Sequence, residues 1–207
     1  MLSASKLAIL DGVYLWPSAL DAKVQQNLLD EILGKIEQAP FYKPVMPGSG
    51  KEFSVQETNF GSLGWISDRR GYRYEPVHPE TRKPWPEIPQ TLLDLWDEAT
   101  GYAASPECCL VNLYRGPAKM GLHQDKDEAA LGAPVLSVSL GDDALFRIGG
   151  TRRKDATRRL KLGSGDILTF GGPARLAFHG IDRVQEGTSR LIPDGGRLNL
   201  TLRRVNP

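Results

Sequence analysis

The sequence predicts a mainly β (α+β) fold, a sandwich or jelly roll with its helices confined to the N-terminal half. Three observations carry that expectation. Beyond Cys108, seven short β-rich runs follow one another, CLVNLYR, PVLSVSL, ALFRIGG, RRLKLG, DILTFGG, RLAFHGI and RLNLTLRR, separated by Gly, Pro and Asp. No stretch of helical period lies between them, which argues against a βα repeat. Ahead of them stands one clear amphipathic stripe, and neither an internal repeat nor a low-complexity tract interrupts the chain.

The elements follow in order. Ala8 to Leu15 reads as a short strand, and Ser18 as the N-cap of the helical segment LDAKVQQNLLDEILGKIEQAP. Leu20, Val24, Leu28, Ile32 and Ile36, with Leu29 and Leu33 beside them, form an i, i+4 stripe that stops before Pro40. Residues 40–90 hold much of the proline, as in PVMPGSGKEF and KPWPEIPQ, and read as irregular cover with short strands. A second helix is expected from Thr91 to Ala99. The helices and cover occupy residues 1–105, and the β core 106–207.

Composition excludes several classes. The 207 residues are 40% hydrophobic and 25% charged, as in one globular unit. Lys plus Arg number 26 against 25 Asp plus Glu, so any basic surface must be local. Cys108 and Cys109 are adjacent and poorly placed to bridge each other, which points to a reducing cytoplasm. The N-terminal apolar run is broken by Asp11, too early for a signal peptide or a membrane span.

Of the three histidines, His123 falls in HQDKDE, two residues before Asp125. On an extended segment that spacing turns both side chains to one face, as ligands of one ion require. Short His-x-Asp matches arise often by chance, and a polar loop is the commoner explanation of one alone. His179 strengthens the case, because it follows the apolar run RLAF and precedes Gly180 at an expected strand end. By itself it would more often be a core histidine bonded to a carbonyl. Together, two His and one carboxylate suit a non-haem Fe(II) oxygenase, and zinc hydrolases use a similar set.

RLNLTLRR separates these readings. Arg197, Asn199, Thr201 and Arg203 alternate with Leu198, Leu200 and Leu202, so one face of the strand is apolar and the other carries two arginines. Solvated arginines on an edge strand would account for most such patterns. An arginine inside a barrel needs an anion, and a guanidinium fork suits a carboxylate. A dicarboxylate with one end on a metal and the other on Arg meets that need, whereas a zinc hydrolase leaves both arginines without an anion.

With GSLGWISDRRGYRYEP, KPWP, LVNLYRGPAKMGLHQDKDE, PVLSVSLGDDALFRIGG and GDILTFGGPARLAFHGI added in order, the chain from Gly61 to Arg203 resembles the AlkB family of Fe(II)/2-oxoglutarate-dependent dioxygenases. The resemblance implies a single dioxygenase domain over 1–207, a double-stranded β-helix (jelly roll) with N-terminal helices and a nucleotide-recognition lid. It implies that His123, Asp125 and His179 bind Fe(II), and that Arg197, Arg203, Asn112, Tyr114 and Asn199 hold 2-oxoglutarate, with O₂ as the other co-substrate. The implied reaction couples decarboxylation of 2-oxoglutarate to succinate with hydroxylation of an N-methyl group, which leaves as formaldehyde. The implied lesions are 1-methyladenine and 3-methylcytosine in single-stranded DNA, and in RNA as well. A monomer without membrane contacts is expected.

A flipped cationic base wants an aromatic face, a carboxylate and cations along its phosphates. Trp65 matches the family's stacking tryptophan against His123, and Tyr72 a tyrosine at the nucleic-acid backbone, although core packing explains most aromatics taken alone. Asp127 matches an acceptor for the exocyclic amine, Arg153 an arginine that reaches the substrate, and Lys119 and Gln124 positions near the phosphates. TRRKDATRRLK, from Thr151 to Lys161, holds six Lys or Arg against one Asp, a local basic loop or simply a solvated hairpin. Lys126, Glu128 and Arg204 read as solvated charge. Glu57 is acidic in a segment where the lid would present an apolar contact. Two other readings stay open: the same chemistry on tRNA, protein or a small molecule, and a non-catalytic module that binds damaged nucleic acid.

Overall fold

A computed structural model describes residue 2 and residues 4–207. The chain opens with strands β1 (Leu7–Leu10) and β2 (Val13–Trp16), then helix α1 (Ala22–Lys35). Next come β3 (Gln56–Gly61), the hairpin β4 (Gly64–Asp68) and β5 (Gly71–Glu75), and helix α2 (Gln90–Thr100). The remainder is β: β6 (Cys108–Tyr114), β7 (Met120–His123), β8 (Val135–Gly141), β9 (Asp143–Ile148), β10 (Arg158–Leu162), β11 (Ile167–Phe170), β12 (His179–Gln185) and β13 (Arg197–Arg203).

Two antiparallel sheets face each other. The major sheet has the order β1-β2-β11-β8-β13-β6-β3 and the minor sheet β10-β9-β12-β7, with β4-β5 as a separate hairpin. Strand alternation divides the major sheet cleanly. Leu198, Leu200 and Leu202 of β13, with Val111 and Leu113 of β6, share one buried cluster with Leu28, Leu29 and Ile32 of α1 and Leu92, Leu95 and Trp96 of α2. The helices therefore cover the outer face. The alternate residues point between the sheets, where Phe146, Ile148, Phe170 and Ile181 build a second cluster. This is the jelly roll expected from the seven runs, with the polar residues of β6 and β13 turned inward.

Several local expectations are corrected. The strand expected over Ala8 to Leu15 is a hairpin broken at Asp11 and Gly12. Gly12 has φ +77, and a Cβ there would lie 2.3 Å from the Gly171 carbonyl oxygen, so only glycine fits the turn. The cap of α1 is Asp21, whose Oδ1 accepts from the Val24 N–H at 2.8 Å. Ser18 instead adopts φ +49, and its N–H donates to Asp166 Oδ1. RLAF is not a strand: a 3₁₀ turn at Gly172–Ala174 precedes it, and β12 begins only at His179. The short β7 was not among the seven runs read from the sequence.

Candidate active site

β7 ends where β12 begins, and His123 and His179 are direct register partners across that pair. Their ring centroids lie 4.4 Å apart. Each imidazole is oriented by a near-neighbour carbonyl: His123 Nδ1 donates to Gly121 O at 2.9 Å and His179 Nδ1 to Ala177 O at 3.0 Å. A carbonyl can only accept, so both Nε2 lone pairs are left for a shared ligand. Asp125 completes the group. Its Oδ1 is 3.6 Å from His123 Nε2 and 3.8 Å from His179 Nε2, and one ligand atom from each residue lies within 4.8 Å of the others.

The electrostatics suit a cation. Burial, with His123 beside it, lowers the His179 imidazole to about 4, so it is neutral at pH 7 with a free lone pair. Burial pushes the Asp125 carboxyl up, but the Arg203 guanidinium, both imidazoles and Arg175 together hold it well below the usual carboxylate range. Arg203 Nη2 stands 2.9 Å from Asp125 Oδ2, leaving Oδ1 to face the imidazoles. Two imidazole nitrogens and one carboxylate on one side of a point, with the other side open to a cleft, fit a divalent iron that keeps positions for co-substrates.

Behind this group the inward residues of β13 and β6 provide the second half of the fit. Arg197 is 0% exposed, and among the described residues it has no acidic partner. Its Nη2 donates to Ser139 Oγ at 3.1 Å and its Nε has no partner. Burial lowers it to about 10, outweighing the raising effect of Tyr114, Asp166 and Asp143, none of which forms an ion pair with it. Its register partner is Tyr114; Asn112 pairs with Asn199 two residues further along β13. Asn112 Oδ1 is buried and unpartnered, and Asn199 Nδ2 donates to Ser137 Oγ at 2.7 Å. A carboxylate-bearing co-substrate would take the unpartnered Arg197 Nε–H, whereas Asn112 Oδ1, itself an acceptor, needs a donor.

A cleft of about 610 Å³ opens over the triad, and Asn112, Tyr114, Asn199 and Arg203 line it while Arg197 lies outside its lining. Trp65 and Tyr72 from the β4-β5 hairpin stand in the same cleft and stack on each other, centroids 5.4 Å apart and planes 18° from parallel. The Trp65 indole Nε1 donates to Asp127 Oδ2 at 2.8 Å. The structure thus brings Trp65, Tyr72 and Asp127 together, with one Asp127 oxygen already engaged. Arg153 also lines the cleft, and its Nη1 donates to Leu122 O at 2.9 Å. Gln124 lines the cleft too, but its amide donates to Leu176 O at 2.6 Å and Thr151 O at 3.2 Å, which makes it a brace between two loops. Lys119 is exposed and outside the cleft lining.

The basic loop divides in two. Arg159 is 3.3 Å from Asp182, and Lys161 is 3.2 Å from Asp143, so the β10 half is a solvated, charge-paired strand face. Arg152 pairs with Asp155, and only Arg153 of the loop reaches the cleft.

Glu128 corrects the reading of solvated charge. It is 4% exposed, accepts from Arg175 Nη2 at 3.0 Å and from the Tyr74 hydroxyl, and lies 3.6 Å from Arg203 Nε. Arg175, not singled out from the sequence, also donates through Nη1 to Asp125 O at 2.6 Å and through Nε to Ala133 O at 2.8 Å. Its position four residues before His179 was the available signal. Arg204 is a partly exposed partner of Glu107, and Lys126 is exposed. Glu57 is fully buried on β3 and lines the cleft, so it is not a contact on an outer lid.

A jelly roll with two imidazoles and one carboxylate beside a buried, anion-free arginine defines an Fe(II)- and 2-oxoglutarate-dependent oxygenase. The 2OG-Fe(II) oxygenase superfamily model matches residues 12–203. The chain is 55% identical over 202 residues to an alpha-ketoglutarate-dependent dioxygenase AlkB homolog of Caulobacter vibrioides, covering 98% of this chain and 91% of that protein. It is 44% identical over 184 residues to the alpha-ketoglutarate-dependent dioxygenase AlkB of Escherichia coli, covering 87% and 84%. The solved structure of OsALKBH1 superposes with a TM-score of 0.82 at 31% identity, covering 97% of this chain and all of that one. The chain belongs to the AlkB family and is a 2-oxoglutarate-dependent dioxygenase that uses Fe(II) and O₂. Among the described residues, no helix is long and apolar enough to cross a membrane.

Proposed function

We propose that this dioxygenase removes N-methyl groups from alkylated bases, 1-methyladenine and 3-methylcytosine, in single-stranded DNA and in RNA. The whole chain acts as one catalytic unit and as a monomer in the cytoplasm. The observation that carries the reading is the Trp65–Asp127 pair in the cleft beside the triad. An aromatic plane with a carboxylate at its edge is what a cationic, amine-bearing base requires.

In this reading His123, Asp125 and His179 hold the iron, which when bound supplies oxygen activation coupled to decarboxylation of 2-oxoglutarate. Arg197 and Tyr114 take the distal carboxylate, while Asn112, Asn199 and Arg203 surround the chelating end. Tyr72 gives way from its stack on Trp65 so that the base lies between Trp65 and His123. Asp127 Oδ1, left free by the indole, accepts from the exocyclic amine, and the indole N–H keeps that carboxylate turned toward the base. Arg153 meets a phosphate, with Lys119 and Gln124 at the outer strand path and the β4-β5 hairpin acting as the lid.

Incubation with Fe(II), 2-oxoglutarate and a 1-methyladenine oligonucleotide tests this. Loss of the methyl mass together with succinate release is expected. Succinate release that methylated oligonucleotides never stimulate would move the activity to another substrate, and binding without succinate would leave only a nucleic-acid module.

Charge removal gives an independent check. Arg153→Ala should weaken oligonucleotide binding and flatten the slope of log K against log salt by about 0.7, the loss of one phosphate contact to a single strand. Arg159→Ala, whose charge is already met by Asp182, should leave the slope unchanged. Equal slopes for the two variants, measured by fluorescence anisotropy, would remove Arg153 from the phosphate path.

A further inference from the structure

The inward face of the major sheet carries a polar row in strict register. Glu57 of β3 pairs with Asn112 of β6, Asn112 with Asn199 of β13, and Asn199 with Ser139 of β8. Register partners on one face project to the same side with Cβ atoms about 5 Å apart. Three members of the row, Glu57, Asn112 and Asn199, line the cleft. Its β3 end is anomalous: Glu57 is 0% exposed, and both of its carboxyl oxygens lack partners, as does Asn112 Oδ1 opposite.

An ionised carboxylate would face Asn112 Oδ1 as acceptor against acceptor, or would draw the Asn112 NH₂ away from the co-substrate, and it would set a negative charge beside a pocket built for a dianion. A neutral carboxyl has one O–H to give, and Asn112 Oδ1 is a buried acceptor without a donor. We propose that Glu57 acts as a neutral acid that donates to Asn112 Oδ1, turning the Asn112 amide so that its NH₂ faces the 2-oxoglutarate carboxylate. Glu57 is then a positioning residue that sets co-substrate affinity, a role that rests on the assignment of Asn112 to the co-substrate pocket.

The surroundings favour the neutral form at pH 7. Burial raises the Glu57 carboxyl to about 8, against a smaller lowering by Arg203. The charged and titratable groups that act on it or feel it are Arg203 of β13, Tyr114 of β6 and Tyr42 ahead of β3. Burial raises both phenols, and Arg203 is also raised, so of this set Glu57 is the member that titrates between neutrality and mild alkali.

The test is calorimetric titration of 2-oxoglutarate into Mn(II)-loaded protein, where no turnover intervenes. If only the neutral form is competent, wild-type Kd should rise about tenfold from about pH 7 to about pH 9. Glu57→Gln keeps a neutral donor and should hold its affinity within about twofold across that range. Glu57→Met loses the donor and should bind about fivefold more weakly at pH 7, with a flat profile. Parallel pH profiles for wild type and Glu57→Gln, or undiminished binding by Glu57→Met, would overturn the proposal. Glu57→Gln alone decides it should the Met variant fail to fold. Arg197→Ala separates the two layers: it should lose co-substrate binding at every pH, and its full retention would remove the pocket assignment beneath the proposal.

Discussion

His179→Ala is expected to lose metal affinity by more than a hundredfold and, with it, measurable turnover, while the folded state survives. Loss of a group that merely orients a metal-bound histidine costs about 10- to 100-fold, so removal of the donor itself should cost more. The stability cost should stay near that of a modest cavity, about 1–3 kcal/mol, because the ring packs beside Phe170 at 4.7 Å and Phe146 at 6.0 Å. Anaerobic Co(II) titration followed by absorbance reads the first effect, and urea denaturation of the metal-free protein the second. Phe170→Leu supplies the contrast, since it should cost stability and leave Co(II) binding almost intact. A His179→Ala variant that binds Co(II) as wild type does would return His179 to the reading of a core histidine.

That contrast matters because the sequence left both readings of His179 open. The triad was legible as residue types and spacing: His123 and Asp125 lie two apart, and His179 stands before a glycine. Its geometry was not, since RLAF lies outside any strand, between a 3₁₀ turn and β12, and β7 is a strand of four residues. What joins them is the register of β7 with β12, a contact across more than fifty residues. The β13 alternation was the most faithful local signal, because period-two patterning directly encodes which side chains face inward.

Charge was the least legible property. Glu128 and Lys126 sit two apart in one charged stretch, yet Glu128 is buried and Lys126 exposed. Composition cannot separate them, because a buried carboxylate is identified by its distant cation, here Arg175, 47 residues away. The cap of α1, expected at Ser18, falls at Asp21. Asp21 caps because its carboxylate reaches the N–H three residues on, while the backbone of Ser18 is drawn to Asp166.

Arg175→Met should be the most destabilising single change outside the triad, by about 3–5 kcal/mol in urea denaturation. The Arg175–Glu128 pair is nearly dry, with side chains 4% and 1% exposed. Removing the guanidinium leaves Glu128 buried against Tyr74 and Arg203 and strips donors from the carbonyls of Asp125 and Ala133. Arg175→Lys should recover little, since one ammonium cannot serve three acceptors set at fork geometry. Arg175→Met with Glu128→Leu should be more stable than the sum of the single effects, because no buried charge is then left alone. Co(II) affinity supplies the further readout: a brace on the Asp125 backbone should cost about 10- to 100-fold in metal binding even where the protein remains folded. Unchanged Co(II) affinity in the single variant, below its melting temperature, would make Arg175 a stabiliser of the loop and remove it from control of the metal ligand.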